Sequence, residues 1–141
     1  MQQKLKDDLF TDAIAWVKEA GELIKRSFMQ KLTVQFKTNF SDLVTNVDKQ
    51  VEKFFIEKIH NKYKDHRILG EEGFGDKNIT TDGIIWIIDP IDGPTNFVNQ
   101  QRHFAISLAI YEDGIGHIGI IYDVMSNEMF RSEEHTSNSS H

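Results

Sequence analysis

From about Lys4 to Gln30, apolar residues step by three or four through Leu9, Ala13, Trp16, Ala20, Leu23 and Ser27 or Phe28. That spacing lines one stripe of a helix. The short alternating piece LTVQF, Leu32 to Phe36, predicts a strand. Thr45 or Asn46 is then expected to cap a second helix burying Val47, Val51, Phe54, Phe55 and Ile59. Beyond it the period shortens. HRILG (His66 to Gly70) and GIIWIID (Gly83 to Asp89) read as short apolar strands. FAISLAIY (Phe104 to Tyr111), HIGIIYDV (His117 to Val124) and EMF (Glu128 to Phe130) predict an antiparallel meander, with turns at EDGIG and MSN. Two N-terminal helices packed on a largely antiparallel sheet make an α+β arrangement.

Composition narrows the picture. The 141 residues suit one domain or a piece of one, and 10 Phe, 3 Tyr and 2 Trp supply a core. A net charge of −6 with no basic run argues against nucleic acid and against an anionic ligand held without cations. There is no cysteine, so neither a disulfide framework nor thiolate chemistry is expected. The N-terminus MQQKLKDDLF lacks the apolar core of a signal peptide, and no window approaches the roughly 20 apolar residues of a membrane span. A cytoplasmic protein is expected.

The chemistry concentrates in WIIDPIDGPTNFV, Trp86 to Val98. Asp89 and Asp92 flank Pro90 and Ile91 after an apolar run. Two carboxylates so close repel each other and raise one pKa, unless a cation lies between them. All-oxygen ligation suits a hard ion such as Mg²⁺. Glu71 and Glu72 follow the strand HRILG, and Asp48 is expected in the first turn of the second helix. Taken singly, each acid also suits a turn or a solvated surface; together they favour a metal site. Gly93 permits a tight backbone, and Pro94-Thr95-Asn96 could open a helix whose N–H groups hold an anion. Cations beside such a helix start make a phosphate site.

LGEEG, WIIDPIDGxTNF and the upstream DLVTNVD resemble the inositol monophosphatase family of Mg²⁺-dependent, lithium-sensitive phosphatases, in order and spacing, from about residue 8 to Phe130. The resemblance implies the layered α/β sandwich of the sugar phosphatases, and two or three Mg²⁺ ions. It implies metal-binding carboxylates at Glu71, Asp89 and Asp92, with the backbone carbonyl of Ile91 on the first metal. Asp48 matches the acid that orients or activates the nucleophilic water, together with Glu71 and the hydroxyl after Gly93. Gly93 and the next position match the backbone N–H groups that hold the substrate phosphate. The implied reaction is hydrolysis of a small phosphate monoester, foremost inositol 1-phosphate, by two-metal activation of water in a homodimer. Other members of the superfamily act on fructose 1,6-bisphosphate, 3′-phosphoadenosine 5′-phosphate or NADP, and a catalytically dead metal-binding module is an alternative of another class.

Two departures stand out. Pro94 replaces a family Thr that supplies a hydroxyl and a backbone N–H, and proline supplies neither. Thr95 could substitute in part. The family's last metal-binding Asp, in a WDxAA-like motif, falls beyond this length, so the C-terminal half is expected to be missing. Residues 1–130 are thus expected to form the N-terminal part of the domain. Residues 131–141 (RSEEHTSNSSH) carry no aliphatic or aromatic side chain and are expected to be disordered. They resemble a translated sequencing adapter; a natural polar tail is the alternative. A miscalled base is one origin for Pro94. His103 and His117 read as surface or strand residues, Trp16 and Trp86 as core, Lys37 as solvated, and GEEGFGD as a mobile loop.

Overall fold

A computed structural model describes residues 1–34, 40–70, 82–92 and 105–133. Two helices, α1 (Gln3–Val34) and α2 (Phe40–Lys62), precede the strands β1 (Arg67–Gly70), β2 (Ile84–Asp92), β3 (Ala105–Glu112), β4 (Ile115–Asp123) and β5 (Glu128–Glu133). The strands form one five-stranded sheet in the order β1-β2-β3-β4-β5. β1 and β2 are parallel and the remaining neighbours antiparallel. Two helices on a mixed, mostly antiparallel sheet match the expected α+β arrangement.

The core lies between the helices and one face of the sheet. Leu9, Ala13, Trp16, Val17, Ala20 and Ile24 of α1 and Val47, Val51, Phe55 and Ile59 of α2 meet Ile68, Trp86, Ile88, Ile106, Leu108, Ile110, Ile118, Ile120 and Tyr122. The strand residues alternate in sequence, as one buried face requires. Trp86 is fully buried, with its ring 5.7 Å from that of Trp16. Its indole N–H donates to Nδ1 of His66 at 3.0 Å, and His66 stacks on Tyr63. The Tyr63 hydroxyl donates to Asp12, which also accepts from Lys62 at 2.7 Å. Burial pushes the Tyr63 hydroxyl pKa up and the His66 imidazole pKa down; Asp12 adds to the first shift, and Asp65 opposes the second.

Turn chemistry closes the meander. Asp113 and Gly114 both take positive φ between β3 and β4, where a two-residue hairpin matches the strand twist, and Asn127 does so between β4 and β5.

Several local expectations are corrected. Leu32 to Val34 of the expected strand LTVQF belong to α1, because three alternating residues cannot outweigh continuation of a formed helix; residues 35–36 lie outside the described ones. α2 starts at Phe40 rather than at a cap on Thr45 or Asn46. The helical spacing already runs through Leu43 to Val47. Asp48 therefore lies two turns inside the helix, not in its first turn. β2 continues past Asp89 to Asp92. β5 runs to Glu133, where disorder was expected from Arg131: Arg131, Ser132 and Glu133 pair with Ile120, Gly119 and Ile118. A ladder needs backbone groups, not apolar side chains.

Candidate metal and phosphate site

Parallel pairing of β1 with β2 brings two carboxyl ends together. The register runs from Arg67↔Ile85 to Gly70↔Ile88, so the next positions in sequence are Glu71 and Asp89. Such strand ends are where parallel sheets present ligand groups. The antiparallel edge of β2 continues further, with Asp89↔Ser107 and Asp92↔Ala105. Three steps along β2 thus face two along β3, and the extra residue is a β-bulge in the Pro90-Ile91 dipeptide. Proline lacks a ladder donor and is tolerated in such a place.

The bulge has a geometric consequence. In a regular strand, positions 89 and 92 fall on opposite faces because their separation is odd. Here they stand opposite Ser107 and Ala105, which are two apart and so share one face of β3. The extra residue thus sets backbone positions 89 and 92 opposite two β3 residues that are themselves two apart.

Asp89 is half-buried. With Ile87, Ser107, Ile121, Phe130 and Ser132 it lines a shallow groove of about 390 Å³ on the sheet face away from the helices. Asp48, one turn before Glu52 on α2, is half-buried, and its Oδ1 is shielded from solvent. The donors fit a hard cation by their chemistry, being carboxylate and carbonyl oxygens without a thiolate. Of the positions expected to act, Asp48 and Asp89 are described in full; Ile91 and Asp92 are placed as backbone positions in β2. Glu71, Gly93, Pro94 and Thr95 lie outside the described residues, as do Lys37, His103 and residues 71–76 of GEEGFGD, whose first residue, Gly70, ends β1. Among the described residues no group of three or more His, Asp or Glu side chains could hold a metal ion. His117 sits in β4, 3.9 Å from Glu112.

Glu52, a fully buried carboxylate on α2, was not among the positions expected to matter. Its signal was present: Glu52 stands between Val51 and Phe55, within the apolar stripe rather than opposite it.

The sequence profile of the inositol monophosphatase family matches residues 6–139. The chain belongs to the inositol monophosphatase family. It is 55% identical over 117 residues to an inositol-1-monophosphatase of Bacillus subtilis, a match covering 83% of this chain and 44% of that protein. It is 38% identical over 119 residues to the Nus factor SuhB of Escherichia coli, covering 84% and 44%. The crystal structure of inositol monophosphatase II from Staphylococcus aureus superposes with a TM-score of 0.81 at 44% identity, covering 89% of this chain and 45% of that one. The chain thus spans less than half the length of these relatives, and its fold is the N-terminal part of the inositol monophosphatase fold. Among the described residues, no helix is long and apolar enough to cross a membrane.

Proposed function

We propose that this protein contributes the carboxylate half of a metal-dependent phosphatase site acting on a small phosphate monoester, foremost inositol 1-phosphate. The observation that supports the reading is the register: β1 and β2 run parallel and pair up to Gly70 and Ile88, directly before Glu71 and Asp89 in the sequence, and β2 carries an extra residue between Asp89 and Asp92. Glu71, Asp89, Asp92 and the carbonyl of Ile91 are the groups to hold Mg²⁺. When bound, two or three such ions supply charge neutralisation at phosphate and an acidified water, and lithium is expected to inhibit. Asp48 and Glu71 orient the attacking water and take up its proton. Gly93 and Thr95 contribute backbone N–H groups to phosphate, and Thr95 offers the hydroxyl that Pro94 lacks.

The test is Mg²⁺-dependent phosphate release from inositol 1-phosphate by a protein extended to the length of its relatives and carrying Pro94→Thr. Release is expected; none would sink the substrate assignment. Pro94 itself supports a second reading, a metal-binding module without turnover. Calorimetric Mg²⁺ binding with no hydrolysis in the extended protein that keeps Pro94 would favour it. We further place the protein in the cytoplasm as a homodimer, which light scattering on the extended protein checks. The nucleotide sequence at codon 94 and past Phe130 decides the origin of Pro94 and of residues 131–141.

A further inference from the structure

Glu52 is completely buried on α2, although burying a carboxylate costs several kcal/mol unless other groups compensate it. It is not without a partner. Its carboxylate is seated on the last residue of β1: a Cβ at Gly70 would come 2.5 Å from Oε1 and 2.8 Å from Oε2, and nearer still to Cδ. No side chain fits there unless Glu52 moves, and a fully buried Glu52 has no solvent to swing into. For packing alone an apolar residue of similar volume would serve more cheaply. What a carboxylate adds is a fixed polar seat for backbone, at the point where β1 ends beside Ile88 and Asp89.

We propose that Glu52 is a positioning residue for the metal site: its carboxylate and the bare Cα of Gly70 lock together and fix the end of β1 beside Ile88 and Asp89. This rests on the proposed function only for the purpose of the positioning; the lock itself is a matter of Glu52 and Gly70.

The test uses the 141-residue chain for Mg²⁺ calorimetry, thermal unfolding and amide exchange, and the extended protein carrying Pro94→Thr for turnover. Glu52→Gln keeps volume and removes charge. Gly70→Ala keeps charge and evicts the carboxylate. Each is expected to weaken Mg²⁺ binding and lower kcat about 10-fold, with the unfolding midpoint held within a few degrees. The amides of Ile68 to Gly70 are expected to exchange faster. Adding Glu52→Asp to Gly70→Ala makes room for the methyl group and is expected to recover part of the Mg²⁺ affinity. Glu57→Gln, exposed on the same helix, is the neutral control. Mg²⁺ affinity within about twofold of the parent in Glu52→Gln overturns the proposal, as does a loss that only tracks a collapse in stability. If the 141-residue parent binds no Mg²⁺, the same calorimetry is read on the extended Pro94→Thr protein, and absence of binding there defeats the proposed function instead. The lock then stands on faster exchange at Ile68 to Gly70 in both variants and falls if exchange is unchanged.

Discussion

The two faces of the sheet use the same strands to different ends. Toward the helices, Trp86, Ile88, Ile106, Leu108, Ile110 and Ile120 are buried to within 2% of full occlusion. On the opposite face, Leu69, Ile87, Ile121 and Phe130 remain 43%, 37%, 49% and 60% exposed among the described residues. Alternation assigns residues to faces, but only a covering layer turns an apolar face into a core. The same outer face carries Asp89 and the groove beside it. Stability is therefore concentrated on the helix-covered side, while Asp89 of the candidate site stands on the other.

The strongest way to break this division is to truncate the helix-covered side. Trp86→Ala removes a fully buried ring that touches Trp16 and bonds to His66, and should cost about 3–5 kcal/mol in urea unfolding. On the outer face, Asp89→Asn should leave stability nearly unchanged. In the extended protein carrying Pro94→Thr it should lower Mg²⁺-dependent phosphate release on the order of 10²-fold, since each metal interaction is worth several kcal/mol. Equal stability losses at Trp86 and Asp89 would erase the comparison.

A pH dependence sharpens the covered side further. Because His66 is half-buried and its Nδ1 accepts the Trp86 indole N–H, the folded state resists protonation that the unfolded chain accepts near pH 6.5. The unfolded state binds more protons over that range, so stability is full above pH 6.5. It falls as the pH drops from there through the lower folded pKa. Melting curves between pH 8 and 5 should show this slope, and His66→Gln should flatten it. The smallest effect belongs to the outer face: Ile121→Lys should change stability by about 1 kcal/mol or less while reducing binding of an apolar dye.

Much of the fold was legible because it rests on period. The stripes of α1 and α2 and the alternation in β3 and β4 follow from 3.6-residue and two-residue repeats. The Asp113-Gly114 turn follows from local backbone preference. Boundaries were less legible: LTV continues a helix despite its β-branched residues, and α2 begins before the capping residues at Thr45 and Asn46. Propensity at a helix end is a fraction of a kcal/mol and yields to the neighbouring turns. At the site, the identities of Asp89 and Asp92 were plain, but the break in register between them against β3 was not, since simple alternation gives no sign of an extra residue. Glu52 was hidden for another reason: its burial against Gly70 depends on how a helix crosses a strand 18 positions away.

The sequence by itself determined the two long helices, the later strands in their order and most residues of the core, and it supplied carboxylates of the kind a hard cation would accept. These depend on side-chain type and local period. Tertiary structure alone decided the rest. It paired β1 in parallel with β2, placed one extra residue between Asp89 and Asp92 against β3, and set the Glu52 carboxylate on Gly70. Those outcomes depend on contacts between segments distant along the chain, for which no single segment carries the period.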